Sequence, residues 1–504
     1  MLNTFAPLTH NRSAYLIAAL AGAANVFAFA PFGLFFIPTL TVAALLRLLS
    51  LATPWRAAKI GFAFGASWFA GGMYWLYISL HEFGKAPVLL AVLLMLCLIA
   101  IVAAYYALYA WLSARFAPRV PAIRLLLWAP ALWVLLEWMR GWFMSGFPWF
   151  ALGYSQTGTW LAGYAPVTGV FGVSFMVVLL AGAVALLFRS GHGNRVLGAA
   201  VIAGVLAGGW TLRQVSWTHA EGAPVAVALV QGNFAQDEKW LPENLLPAMD
   251  RYWALTEQNS DSDLVIWPEA AIPALYHQLD QAYYAQLEDE LIAPDQRLLT
   301  GTLVYDAARG VYFNSTVVLG GSERRFYHKR HLVPFGEYFP VPDFVRRWLR
   351  LMNLPYSDFE TGTDGAALKI SPQLSVGMMI CYEAVFGEEV ITALPEARLL
   401  VNISNDGWFG RSIGPLQHFQ IARMRAIETG RWLVRATNTG VTAVVDEHGR
   451  VLERLPQFET AVLRAAVQPR NGETPYVRVG NWLAVMGSLT LLGIAAFARY
   501  RQDR

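Results

Sequence analysis

Apolar runs long enough to cross a hydrocarbon core recur through the first 212 residues, and nothing else in the chain restricts its fold as strongly. Seven runs read as spans near 14–30, 32–49, 57–80, 86–113, 123–143, 160–188 and 194–212, with an eighth near 481–499. The first two are short and separated by Pro31 and Gly33, so a hairpin stays open beside two crossings. The first run is not expected to be a cleaved leader, because another apolar run follows it at once instead of a soluble segment. Composition agrees with a membrane frame: 56% of the 504 residues are apolar and only 14% charged, where soluble domains run near a quarter.

Charge is divided along the chain. Residues 221–470 hold 31 acids against 22 Lys and Arg, a net of −9, while the remainder carries +12. An acidic, soluble-looking segment is therefore set inside a basic, apolar frame. Nucleic acid is not an expected partner, since the water-soluble part lacks a basic face. Lys and Arg are also unequal across alternate loops. Arg12, Arg47, Arg56, Lys59, Arg115, Arg119, Arg124, Arg189, Arg195, Arg499, Arg501 and Arg504 fall on one side, against Lys85, Arg140, Arg213 and Arg478 on the other. Positive charge stays on the cytoplasmic side, so both termini are expected there and residues 213–478 outside. The expected organisation is seven transmembrane helices over 1–212, an external domain over 213–478, and a final helix with its tail over 479–504. Within the frame, Glu137 and Arg140 stand three apart and share a helix face, which predicts an internal ion pair or part of a substrate entry.

From residue 221 the pattern changes to strands alternating with helices. Strands are expected near 224–230, 263–267, 298–305, 312–319, 375–381, 398–404, 432–437, 441–446 and 460–467, and helices near 242–259, 280–292 and 413–430. That order predicts an α/β or α+β sandwich. Chemistry-bearing residues fall at strand ends. Glu269 follows Leu264-Val265-Ile266-Trp267-Pro268, and Cys381 follows Val376-Gly377-Met378-Met379-Ile380. Between them lies a loop with Lys329. A thiol needs a base, a carboxylate can take its proton, and a cation can stabilise the oxyanion of a tetrahedral intermediate. A cysteine after an apolar strand is more often a buried, inert thiol. The placement of Glu383 two residues past this one, in a chain with only two cysteines, sharpens the case.

Trp267-Pro268-Glu269, Lys329 with His331-Leu332-Val333-Pro334-Phe335-Gly336-Glu337, and Cys381-Tyr382-Glu383 resemble the Glu-Lys-Cys signature of the nitrilase, or carbon-nitrogen hydrolase, superfamily. With the membrane frame around them, they resemble the apolipoprotein N-acyltransferase family of Gram-negative bacteria. Gln231-Gly232-Asn233, the stretch from Ser404 to Phe409, Gly414 to His418, and Thr437 to Gly440 are similar to that family too. The likeness runs from Phe29-Ala30-Pro31-Phe32-Gly33 to Thr474-Pro475-Tyr476.

The resemblance implies a polytopic helical membrane domain joined to an α-β-β-α sandwich. It implies transfer of an acyl chain from the sn-1 position of a phospholipid to the α-amino group of a diacylglyceryl-cysteine apolipoprotein, through a thioester, at the bacterial inner membrane. The bilayer is then a partner in its own right, and the catalytic domain faces the periplasm. Cys381 matches the nucleophile, Glu269 the base and Lys329 the oxyanion cation. Glu337, Tyr382, Glu383 and Trp240 match supporting residues, with Asn314 as a further contributor. No cofactor or metal is expected, for the chain has neither a Gly-rich phosphate loop nor a His-Cys ligand cluster. The stretch Phe335–Trp348, with Arg346, Arg347 and Arg350 nearby, reads either as a lid dipping into headgroups or as a surface loop. Two rivals stand beside this reading: a membrane-tethered amidase that resolves the thioester with water, and a transporter with an external binding domain.

Overall fold

The computed structural model describes residues 11–290, 292–293, 295–338, 359–363, 365 and 367–503. The expected lid lies outside them from residue 339 onward, as do Arg346, Arg347 and Arg350. The chain divides into two compact units. One comprises Met1–Ser216, Phe409–Gln420 and Thr474–Arg504; the other comprises Trp217–Trp408 and Ile421–Glu473.

The first unit is helical. Five described helices are long and apolar enough to cross a membrane: Val88–Phe116, Pro121–Arg140, Trp160–Leu187, His192–Arg213 and Trp482–Gln502. Arg12–Ala28 and Ile37–Leu49 are apolar but shorter, and Pro54–Gly72 completes the set of longer helices before residue 88. Without a hydrophobic drive between helices in lipid, close approach depends on small residues. Gly61 supplies one such place, since a Cβ there would lie 2.2 Å from the Tyr106 carbonyl oxygen. Around it Phe64, Trp68, Phe69, Tyr106 and Phe150 form an aromatic cluster with ring centroids 4.9–6.0 Å from Phe29 or one another.

Two polar knots hold this unit. Glu137 and Arg140 are both buried, but neither bonds the other. Glu137 Oε1 accepts from Trp133 Nε1 at 3.2 Å and from the Leu152 amide at 3.0 Å. Arg140 Nη1 donates to the carbonyls of Phe147, at 2.8 Å, and Trp149, at 2.5 Å. The helix spacing does put both side chains on one face, yet the loop 147–152 offers unpaired backbone groups that each binds instead. The second knot is Gln417, from the 409–420 segment. Its Oε1 accepts from Trp75 Nε1 at 3.1 Å and Trp149 Nε1 at 2.9 Å, and its Nε2 donates to the Gly72 carbonyl at 3.3 Å.

The second unit is built on strands. Its first half contributes β1 (His219–Ala220), β2 (Val225–Gln231), β3 (Leu264–Ile266), β4 (Arg297–Asp306), β5 (Val311–Leu319) and β6 (Arg325–His328). Its second half contributes β7 (Ala367–Lys369), β8 (Ser375–Ile380), β9 (Leu399–Ser404), β10 (Leu433–Thr437), β11 (Ala443–Val445), β12 (Val451–Arg454), β13 (Ala461–Val467) and β14 (Arg470–Asn471). Two six-stranded sheets result, ordered β13-β2-β3-β4-β5-β6 and β12-β11-β10-β9-β8-β7, with β1 and β14 as a separate pair. Each sheet is parallel at its centre, through β2-β3-β4 and β8-β9-β10, and antiparallel at its rims.

Period-two alternation sorts the residues between layers. Val227, Leu229, Leu264, Ile266 and Leu299 meet Val376, Met378, Ile380, Leu399, Val401 and Ile403 in the core between the sheets. Their neighbours Ala228, Val230, Val265, Trp267 and Leu298 face the other way, onto Ala248 and Tyr252 of helix Leu245–Glu257 and onto Tyr283, Tyr284 and Leu287. The fold class is that expected, a helical membrane part with an α-β-β-α sandwich. Strands β1, β6, β7, β12 and β14 were not among those expected; they are sheet edges or a separate pair, two to four residues long and too short to show a period.

Leu229 is fully buried between the sheets, whereas Leu452 is 45% exposed. Leu229→Ala should cost about 2–5 kcal/mol of stability, and Leu452→Ala less than about 0.5 kcal/mol. Urea titration, read by the accessibility of Cys381 to a thiol reagent, measures both.

Candidate active site

Both parallel centres end at the same kind of place. In open parallel sheets, ligand sites form beyond the carboxyl ends of the strands. Pro268 has no amide to donate, so the β3 ladder stops and Glu269 falls just past it. Gly301 on β4 lets this turn lie close: a Cβ there would come within 2.7 Å of Pro268 O, Ala270 N and Glu269 Cα. Cys381 follows β8 directly and holds φ +52°, a left-handed conformation rare outside glycine. Ala270, next to Glu269, holds φ +44°. Strain of this kind gathers at functional turns and needs surrounding structure to hold it.

Lys329 leaves β6 with its amide still bonded to the Asn314 carbonyl of β5, at 2.8 Å. Its ammonium is 1% exposed and meets Glu337 Oε1 at 2.8 Å and Glu269 Oε1 at 3.7 Å. Asn314 Nδ2 spans the two acids, donating to Glu269 Oε1 at 2.8 Å and Glu337 Oε1 at 2.9 Å. Glu269 Oε2 takes the Asn405 amide at 2.8 Å. Glu337 Oε2 takes the Val333 amide at 2.7 Å, which closes the loop on itself. Burial draws the Lys329 ammonium down, but Glu337, Glu269 and Cys381 outweigh it and hold the ammonium above its ordinary value. The Cys381 thiol is pushed well up by burial and then by Glu269, with Lys329 opposing. At rest the set is thus a neutral thiol near Glu269 and a fixed cation.

Glu383 is a clamp. Its Oε1 accepts from Tyr327 Oη at 2.8 Å, the Arg330 amide at 2.7 Å and the His331 amide at 3.4 Å, while Oε2 accepts from the Ile380 amide at 2.6 Å. One carboxylate therefore ties the Lys329 loop to the turn carrying Cys381. Burial raises the Glu383 carboxyl, and these donors oppose the rise. Tyr382 lies edge-on to Phe386, at 5.1 Å, and to His331, at 5.8 Å. Trp240 is 48% exposed.

The outlying motifs form scaffold. Asp406 is fully buried against Arg435, with Arg435 Nη2 to Asp406 Oδ2 at 2.8 Å, and takes Ser404 Oγ at 2.9 Å. Arg435 also bonds Asn402. These contacts fix the Asn405 turn whose amide holds Glu269. Asn438 exchanges two bonds with the Phe234 backbone, at 2.8 and 3.0 Å, and Gln231 Oε1 accepts from Thr442 at 2.7 Å. Sequence reading did not single out Asn405, Asp406 and Arg435 as site support, nor Lys239. Lys239 lies beside Asp237 and Glu238, and a charged run reads as solvated surface; the structure buries it, with Nζ donating to the Glu269 main-chain carbonyl at 3.3 Å.

A cysteine, a carboxylate and a buried lysine at the strand ends of such a sandwich define a carbon-nitrogen hydrolase domain, and residues 226–476 match the Carbon-nitrogen hydrolase family model. Among solved structures, the chain is similar to Nit3 of Saccharomyces cerevisiae, a nitrilase superfamily member, at 18% identity over 50% of this chain and 93% of that one, with a TM-score of 0.38. Residues 21–183 match the Apolipoprotein N-acyltransferase N-terminal domain. The chain is 42% identical to the apolipoprotein N-acyltransferase of Methylococcus capsulatus over 97% of each protein. It is 45% identical to that of Nitrosomonas europaea, over 97% of this chain and 98% of the relative. This chain belongs to the apolipoprotein N-acyltransferase family.

The clamp makes a specific demand. Glu383→Gln replaces two acceptor oxygens with one and turns an amide against the Ile380 N–H or the Tyr327–Arg330 donors. A displacement of the thiol or ammonium by an ångström should slow acyl-enzyme formation by about a hundredfold. Tyr327→Phe, which removes one donor of four, should cost about tenfold or less. Single-turnover acylation read by intact-protein mass checks both.

Proposed function

We propose that this membrane enzyme transfers an acyl chain from the sn-1 ester of a phospholipid to the α-amino group of a diacylglyceryl-cysteine apolipoprotein. The observation that carries this reading is the convergence of Glu269 and Glu337 on one buried Lys329 that also feels Cys381, in a chain matching its family across both units.

In the first half-reaction Glu269 takes the Cys381 proton as sulfur attacks the ester carbonyl. The carbonyl electrons move to oxygen, and Lys329 stabilises that oxyanion. Collapse breaks the ester C–O bond, the lysophospholipid alkoxide takes the proton from Glu269, and a thioester remains. In the second half the neutral α-amine attacks the thioester, Glu269 takes its proton, and a second oxyanion forms beside Lys329. Collapse expels Cys381 sulfur, which recovers the proton. Glu337 keeps Lys329 charged through both halves, Asn314 holds the two acids in register, and Glu383 with Tyr382 shapes the nucleophile turn. Trp240, exposed on the same unit, suits contact with the lipid chains.

The topology that serves this reaction has both termini in the cytoplasm, seven crossings before residue 213, the catalytic domain of 213–478 in the periplasm, and a last crossing after 479. The bias of Lys and Arg over alternate loops supports it. Both lipid substrates then meet the site from the outer leaflet of the inner membrane.

Cys381→Ala should abolish both thioester formation and transfer, while Cys97→Ala, in the helix Val88–Phe116, should leave both intact; intact mass after exposure to phospholipid alone decides, and an active Cys381→Ala protein would overturn the nucleophile. Lys329→Met should slow each half-reaction by about a hundredfold or more. If a preformed thioester in that variant still reacts with amine at the original rate, the oxyanion role is wrong. A reporter placed near Glu221 should work only as an external one, and one fused after Arg504 only as a cytoplasmic one.

A further inference from the structure

The segment from Gln231 to Trp240 reaches Glu269 once directly and once through Asn405. Gln236 Oε1 accepts from Asn405 Nδ2 at 2.7 Å, and the Asn405 amide donates to Glu269 Oε2 at 2.8 Å. Three residues on, Lys239 Nζ donates to the Glu269 main-chain carbonyl at 3.3 Å. That carbonyl belongs to the turn in which Ala270 is left-handed and against which Gly301 fits closely. An ammonium that is 1% exposed is costly to keep charged unless an anion stands near. The anion facing it is Glu269.

We propose that Lys239 is a positioning residue for acyl transfer: its bond, made by a charged donor, fixes the turn that aims the Glu269 carboxylate. The inference rests on the reading of Glu269 as the base. Glu269 is then faced by two cations, Lys239 on its main-chain side and Lys329 on its Oε1 side, with Asn314 and the Asn405 amide as neutral donors. Lys329 is shared with Glu337 and Cys381, and Cys381 in turn faces Asp406 besides Glu269. Among the described residues, the acid that faces Lys239 is Glu269.

Burial draws Lys239 down to about 8, with Glu269 holding against the fall. Below that pH the bond to the Glu269 carbonyl is made by a charged donor.

The test is single-turnover acylation of Cys381 by dipalmitoyl phosphatidylethanolamine in mixed micelles, followed by intact-protein mass at neutral pH. Lys239→Gln keeps a donor without the charge, Lys239→Met keeps neither, and Lys239→Arg keeps the charge. Acylation should slow by about tenfold or more in the Gln and Met variants and return toward the parent rate in Lys239→Arg. A Lys239→Gln rate equal to the parent's overturns the proposal, because a neutral donor then suffices. Should none of the three variants fold, the lysine is a structural strut and the proposal also falls. Glu269→Gln in the same assay separates the layers: acylation at the parent rate there removes the base assignment itself, whatever Lys239 does.

Discussion

A lysine ammonium taken out of water must be given anions, and the catalytic unit is organised around that requirement at Lys329. With 1% of its surface exposed, the group is held by Glu337 at 2.8 Å and Glu269 at 3.7 Å. Two acids around one base would repel each other, so Asn314 puts an amide between them and gives one hydrogen to each. The chemistry then inherits an asymmetry. Glu337 is committed to Lys329 and to its own loop amide, whereas Glu269 is the acid that also bears on the Cys381 thiol. On the proposed mechanism, a cation fixed before the reaction costs no reorganisation when an oxyanion forms beside it.

Placing those groups within reach is the work of the parallel strands. Glu269 and the Asn405 turn come from the ends of β3 and β9, Cys381 from the end of β8, and Lys329 from the antiparallel rim at β6. Strand ends alone set direction to within a few ångströms, and the remaining precision is polar. Glu383 joins the β6 loop to the β8 turn, the Arg435–Asp406 pair freezes the β9 turn, and Asn438 ties the segment after β2 to the rest. A buried ion pair such as Arg435–Asp406 is weak evidence for stability, since desolvation offsets the attraction. Its value here is that it gives the Asn405 amide one position.

Much of this was legible from sequence because it is local. Strands β2, β3, β8 and β9 are short apolar runs broken by Pro268, Gly232 or a polar pair, and those breaks deliver Glu269 and Cys381 to strand ends by counting alone. What sequence did not yield depends on tertiary partners. Lys239 sits in Asp237-Glu238-Lys239, which looks solvated, yet it is buried with its ammonium on the Glu269 carbonyl. Glu137 and Arg140 have the spacing of an ion pair, yet loop 147–152 offers each a better partner. Trp240, grouped with the site by resemblance, is 48% exposed while its neighbour Lys239 is buried, a split that a dipeptide cannot announce.

On the proposed reading, the same electrostatics distinguish the two half-reactions. A thiol pushed up by burial and by Glu269 is a poor nucleophile until its proton moves, so attack and proton transfer to Glu269 belong to one step. Once the thioester forms, that opposition disappears, for sulfur has no proton left to lose and Glu269 has passed its own to the departing alkoxide. The base is again ionised, held through Oε1 by Asn314 and through Oε2 by the Asn405 amide, and an arriving amine meets it in the orientation the thiol met. Each half-reaction thus restores the protonation state that the other requires. Lys329 stays charged throughout because Glu337 does not take part, which makes the second carboxylate as necessary to the cycle as the first.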